Sequence, residues 1–146
     1  MLPLIEFIAT FATTLFAGAA IYINLVEHPA RMGCSTQIAA TVWAPSYHRA
    51  VVMQASLAIV GTLCGLVSWQ LGSGPWWLVG ALLIFAVIPV TFIIIFPTNR
   101  LLLAPGRDLS SAETRALLIK WGHLHAIRSG LSLIASTIFI GQLVTG

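Results

Sequence analysis

The sequence predicts an all-α membrane protein, a four-transmembrane-helix up-down bundle, and three observations carry that prediction. Of 146 residues, 58% are hydrophobic and only 8% charged, whereas soluble chains are about 25% charged. Four apolar stretches, near Leu4 to Val26, Val51 to Leu71, Trp76 to Phe96 and His123 to Val144, each supply the ~20 residues that cross a bilayer as a helix. All seven Lys and Arg, and all four His, fall between the first and second stretches, or between the third and fourth and in the first turns of the fourth. An up-down path brings both regions to one face of the membrane. The positive-inside rule makes that face cytoplasmic and both termini non-cytoplasmic, which in a bacterium means the plasma (inner) membrane.

The first stretch lacks a basic segment ahead of it and reads as a retained span rather than a cleaved signal. Thr14 and Gly18 give it a small-residue face. The connection that follows carries Arg31, Cys34 and Arg49. In the second span Ala58, Gly61, Gly65 and Ser68 recur every three or four residues, a face that another helix can approach closely. Gly72-Ser73-Gly74-Pro75 is a turn, and Pro89 predicts a kink in the third span. The longest connection runs from Pro97 to about Arg107, with Pro105-Gly106 as its turn signal. Ser110 to Glu113 has the form of a capping box, so helix four begins near Ser111 and extends into the cytoplasm through Lys120. Its stripe of Gly122, His125, Ser129, Ser132 and Ser136 is small and polar and predicts a face turned into the bundle. The small-residue faces also suit a homo-oligomer. One domain, 1-146, accounts for the chain.

The net charge of +3 argues for no nucleic-acid partner, because the few basic residues flank spans without an aromatic-interleaved patch. They suit membrane topology and anionic lipid headgroups instead. Cys34 in a connection and Cys64 deep in a span form neither a disulfide framework nor a zinc motif.

The chemistry-bearing residues collect at four helix ends of the basic side. They are Asn24, Glu27 and His28 on helix one, Trp43, Tyr47, His48, Arg49 and Gln54 before and in helix two, Thr98 and Asn99 after helix three, and Trp121, His123, His125 and Arg128 on helix four. Asn24 and His28 lie four apart on one face. Trp121, His125 and Arg128 share a narrow sector, whereas His123 is ~200° from His125 and points elsewhere. Ionisable residues within a membrane mark a function by default. One reading makes His28, His48, His125 and Glu27, with His123 as a weaker member, ligands to copper or iron. A second needs no metal: a His acts as general base, and Arg128 and Asn99 hold an anionic oxygen. A haem between facing histidines is a third. Asn24, Trp43, Tyr47, Gln54 and Trp121 would line the substrate pocket, although Trp and Tyr at a membrane boundary also form interfacial belts.

Four segments, Tyr22 to Arg31, Trp43 to Ala50 with Met53-Gln54, Pro97-Thr98-Asn99 and Trp121 to Arg128, resemble in order the anthrone-oxygenase-like family of small four-helix membrane proteins. Characterised fungal members of that family oxidise an anthrone to an anthraquinone with dioxygen, and most bacterial members have no assigned function. The resemblance implies roles for His28, Asn99, His125 and Arg128, then for Glu27, Tyr47 and Trp121, and does not extend to His48 or His123. The expected function is an oxidoreductase or oxygenase acting on a small aromatic or phenolic substrate. Two rivals are a non-enzymatic binder or carrier, which lacks a polar relay through the other half of the spans, and a scaffold subunit assembled through small-residue faces.

Overall fold

A computed structural model describes residues 1–145. Four long helices, α1 (Leu2–Met32), α2 (Thr36–Gln70), α3 (Pro75–Leu102) and α4 (Ala112–Thr145), are each long and apolar enough to cross a membrane. Each packs on its neighbour in sequence, and α1 closes the bundle against α4.

Three apolar layers fill the centre. The first combines Ala9, Trp77, Ala81 and Phe139, with Cys64 and Leu66 against them. The second has Phe16, Ala20, Ala58, Ile84, Val87 and Ala135. The third has Ile23, Trp43, Ile95, Leu118 and Trp121. From first layer to third, residue numbers rise in α1 and α3 and fall in α2 and α4, so chain direction alternates around the bundle. The Cys34 and Cys64 thiols are free.

The helices outrun the apolar stretches. α2 begins at Thr36, with Ser35 as N-cap accepting from the Ile38 N–H at 3.4 Å, so the first connection is only Gly33 to Ser35. Trp43, Tyr47 and His48 are thus helical, where hydropathy alone left a connection. α3 likewise continues through Pro89 and Pro97 to Leu102. The reason is visible on both α1 and α3. A π-helical turn at Ile23–Glu27 precedes His28-Pro29, and another at Thr91–Ile95 precedes Phe96-Pro97. The His28 N–H bonds to Ile23 O and the Phe96 N–H to Thr91 O, five residues back. Each inserted residue falls just before a proline that has no N–H to give, which carries the helix past it.

The capping box at Ser110 does not form as spaced. Asp108 Oδ1 accepts from the Ser110 N–H at 2.9 Å and its Oγ at 2.6 Å, so the cap moves on one residue. Ser111 Oγ accepts from the Thr114 N–H at 3.1 Å. Glu113 pairs outward with Arg107 at 3.4 Å instead.

The small-residue face of α2 is used inside the bundle. A Cβ on Gly61 would lie 2.5 Å from Thr13 Oγ1, and one on Gly65 2.7 Å from the Phe139 ring. The face is therefore not available to a second copy. On α1 the expected pair lies at the edge of the contact: Thr14 and Gly18 are exposed, with Thr14 Oγ1 meeting Ser136 Oγ of α4 at 2.8 Å, while Ala9, Ala12, Thr13, Phe16 and Ala17 turn inward. The stripe on α4, from Gly122 to Ser136, is buried throughout.

Candidate active site at the basic end of the bundle

The third apolar layer is capped by a polar one. Ile23, Arg31, Trp43, Ser46, Tyr47, Gln54, Ile95, Asn99, Trp121, His125 and Arg128, from all four helices, surround a chamber of about 20 Å³, room for roughly one water. These residues come from segments up to 105 positions apart in sequence, Ile23 to Arg128, and meet because chain direction alternates.

His125 is 2% exposed and its orientation follows from its neighbours. Asn24 Nδ2 donates to Gly122 O at 2.9 Å, which fixes the amide and turns Oδ1 toward α4. That oxygen lies 2.7 Å from His125 Nδ1 and accepts from Ser129 Oγ at 2.6 Å. A carbonyl oxygen only accepts, so in the neutral ring Nδ1 carries the proton and Nε2 keeps its lone pair. Asn24 thus holds the His125 ring from behind and lines a groove between α1 and α4 rather than the chamber. The oxygen of Ser129, which sequence reading placed only on a packing face, completes this arrangement.

Arg128, 6% exposed, donates from Nη2 to Gln54 Oε1 at 2.7 Å and lies 5.3 Å from the centre of the Phe16 ring. Among the described residues it has no carboxylate partner. A buried cation held only by a neutral amide and an aromatic face is costly and attracts an anionic oxygen.

Asn99 is 1% exposed, and neither amide atom has a protein hydrogen-bond partner. The same holds for Gln54 Nε2, Arg128 Nε, Trp43 Nε1 and Trp121 Nε1. Native interiors leave few such groups, and most of those among the described residues gather around this one chamber.

Trp43 and Trp121 are 1% and 4% exposed, so they belong to the interior and not to an interfacial belt. Their rings meet edge-on at 5.7 Å, Tyr47 stacks on Trp43 at 5.1 Å, and Trp121 touches His125 at 4.9 Å and His28 at 5.2 Å.

His28 is buried but does not line the chamber. It packs where a Cβ on Gly122 would come within 2.6 Å of its ring, beside a groove between α1 and α4. His48 and His123 are exposed. Glu27 is engaged by Arg31 and accepts from Ser46 Oγ at 2.5 Å. The four expected metal ligands are therefore not brought together, and among the described residues no three His, Cys, Asp or Glu side chains converge.

Arg31, read from sequence only as a loop cation, is 6% exposed and lines the chamber. The signal was its i,i+4 spacing from Glu27, which acquires meaning only if helix one continues past Val26. Outside the spans, Asp108 has its carboxyl held below the usual 3.8 by the hydrogen bonds from Ser110.

Comparison with known proteins joins this geometry to a family. An anthrone oxygenase family model matches residues 43–138, a segment that contains Trp43, Gln54, Asn99, Trp121, His125 and Arg128. The chain is 26% identical to the anthrone oxygenase tpcL of Aspergillus fumigatus, over 93% of this chain and 91% of that one. It is 27% identical to an anthrone oxygenase of Claviceps purpurea, over 97% and 90% of the two, and 28% identical to one from a Cryptosporiopsis species, over 89% and 80%. No solved structure matches. With most of its length inside the family model, and the chamber residues of α2, α3 and α4 inside that match, this four-helix chain belongs to the anthrone oxygenase family.

Proposed function

We propose that the protein is an integral membrane oxygenase that oxidises an anthrone-like carbon acid with dioxygen, with His125 as base and Arg128 as the oxyanion partner. The observation that carries this is the fixed His125 ring. Its Nδ1–H is committed to Asn24, which leaves Nε2 as a proton acceptor in a site that also contains a buried Arg without a carboxylate.

The methylene of an anthrone lies across the ring from its ketone, so loss of a methylene proton gives an aromatic enolate. His125 Nε2 takes that proton while Arg128 holds the enolate oxygen. The carbanion transfers one electron to dioxygen, and the two radicals join in a C–O bond. The proton on His125 passes to the peroxide anion, giving a hydroperoxide. Removal of the remaining C–H proton breaks the O–O bond, and hydroxide leaves with that proton as water. The sum is anthrone plus dioxygen to anthraquinone plus water. Asn99, with both amide atoms unpaired in the protein, is assigned to the oxygen atoms of this sequence.

Copper or iron would need donors that converge, and the available set is two histidines on either side of Trp121, with Glu27 already engaged. The proposed reaction therefore uses the side chains alone. The seven basic residues support a cytoplasmic position for the chamber under the positive-inside rule. Labelling of Cys34 and of Ser73→Cys with a membrane-impermeant maleimide tests that orientation: Cys34 should react only from the cytoplasmic side.

The central experiment uses purified protein in nanodiscs with anthrone and dioxygen, corrected for spontaneous oxidation in empty nanodiscs. Expected are quinone formation matching oxygen uptake one to one, no dependence on added or chelated copper or iron, and loss of the catalysed rate in His125→Ala. Oxidation no faster than in empty nanodiscs overturns the proposal, and a rate that follows metal content overturns its metal-free form.

A further inference from the structure

The chamber of about 20 Å³ accommodates an oxygen atom and not three fused rings, so the body of the substrate must lie elsewhere. Two larger spaces adjoin the polar layer. The groove between α1 and α4 is lined by Asn24, His28, Arg115, His123 and Ala126, and it reaches neither Arg128 nor the chamber face of His125. The other is a cleft of about 220 Å³ between α2 and α3, and it shares Val51, Gln54 and Arg128 with the chamber.

This cleft is apolar apart from its inner end. Ala55, Ala58, Val87 and Ile88 form its walls, and Phe16 lies beside Arg128. The Thr91 hydroxyl in its lining donates to Val87 O of its own helix at 2.7 Å, so only Gln54 and Arg128 ask for a polar partner. The lip is formed by Ile59 and Phe92, 49% and 65% exposed, within spans whose outer surface is apolar. Its volume is just below the ~300 Å³ at which ordinary ligand sites begin.

We propose that the α2/α3 cleft is the substrate's binding site and its path from the bilayer, taking a flat polycyclic phenol or ketone whose outer ring lies between Ala55, Ala58 and Val87, with its oxygen on Arg128 and its methylene edge turned toward His125 at the chamber. This rests on the oxygenase reading and adds to it where the substrate binds and from which phase it comes. The complementarity is specific in kind. A lone cation at the blind end of an apolar cleft fits an amphiphile with one anionic or strongly polarised oxygen, dissolved in lipid rather than in water. Alanine at positions 55 and 58 leaves the width of a ring that larger side chains would fill.

Ala55 is exposed at the cleft wall and Ala126 is exposed in the rival groove, so Ala55→Trp and Ala126→Trp each plug one space without entering the core. In nanodiscs with anthrone, Ala55→Trp should raise KM at least tenfold, and Ala126→Trp should leave it within twofold. The reverse pattern, or no change in either while the wild type turns over, overturns the cleft and leaves the oxygenase reading standing. If the wild type does not oxidise anthrone, the oxygenase reading fails, and the cleft is judged by thermal stabilisation with 9,10-anthraquinone. Stabilisation of the wild type and of Ala126→Trp but not Ala55→Trp upholds the cleft. Equal stabilisation of all three, or none, overturns it.

Discussion

The two halves of the bundle use the same four helices under opposite rules. In the half containing Trp77 and Phe139, hydroxyls bond within their own helix: Thr62 to Ala58 O at 2.7 Å, Ser68 to Cys64 O at 3.0 Å and Thr10 to Glu6 O at 2.9 Å. One hydroxyl pair joins neighbouring helices there, Thr14 Oγ1 and Ser136 Oγ at 2.8 Å, and Gly65 and Gly80 yield the centre to the Phe139 ring. In the other half, Asn24 reaches His125, Ser129 and Gly122 on α4, and Arg128 reaches Gln54 on α2. Several of those side chains keep polar atoms that no protein group satisfies. One half is arranged chiefly for packing, with Thr13 Oγ1 and Ser73 Oγ its unsatisfied buried atoms among the described residues, and the other holds most of the unsatisfied groups. Substitutions should therefore separate stability from activity according to the half they fall in.

The sharpest break is at His125. His125→Ala should lower the catalysed rate of anthrone oxidation by ~10²–10⁴, the range for loss of a general base, while the protein remains folded by near-UV circular dichroism. Asn24→Leu, which removes the partner of Nδ1, should reduce kcat less and be partly restored by Asn24→Asp, whose carboxylate still accepts from Nδ1. Equal losses in Asn24→Leu and Asn24→Asp would refute the positioning role.

Phe139→Ala should show the converse. Its 0% exposed ring fills the first layer, and its loss should cost roughly 3 kcal/mol, the lower end for such truncations because a membrane helix is packed relative to lipid rather than water. Reversible unfolding in bicelles measures this, and KM for anthrone should not move. A KM change comparable to that of a cleft variant would break the division between the halves.

Replacing the buried cation sharpens the comparison further. Arg128→Met with Gln54→Leu removes the charge and its acceptor together, so stability should be unchanged or higher by ~1–4 kcal/mol, while activity falls ~10²–10³ with loss of the oxyanion partner. Destabilisation of the double variant would mean that this pair holds the bundle together rather than serving a ligand.

The smallest effects lie outside both halves. Ser111→Ala, which removes the cap of α4, should cost ~1 kcal/mol without altering KM. The Asp108 carboxyl has its pKa below 3.8 in the folded protein, so its contribution is present above the unfolded value and lost as pH falls through the folded one. Thermal scans should therefore show a small drop below about pH 3.8 that Asp108→Asn abolishes.

Hydropathy and basic residues carried the four helices and the identity of the polar end, because a span must be apolar for its full length whatever packs on it. The inward stripe of α4 was legible for the same reason, since its small and polar residues recur at helical spacing. The π-helical turns were not legible: Pro29 and Pro97 look like helix ends, and only continued packing against neighbouring helices carries the chain past them. Asn24 and His28 share a face on an ideal helix, but Asn24 lies within the π-helical turn at Ile23–Glu27 and His28 just after it, and in the structure Asn24 bonds to His125 while His28 stands beside Gly122.

By itself, then, the sequence determined that four helices span the membrane and that His125, Arg128, Asn99 and Gln54 lie in one layer, because helical period and span length are properties of a segment. Tertiary structure decided which of them face one another. Three-dimensional packing turned His28, His48 and His123 away from the chamber, buried Arg31, moved Trp43 and Trp121 from membrane surface to interior, and opened a cleft between α2 and α3. Those outcomes depend on small rotations and inserted residues that change which side chains meet across a bundle while leaving each helix's own pattern almost untouched.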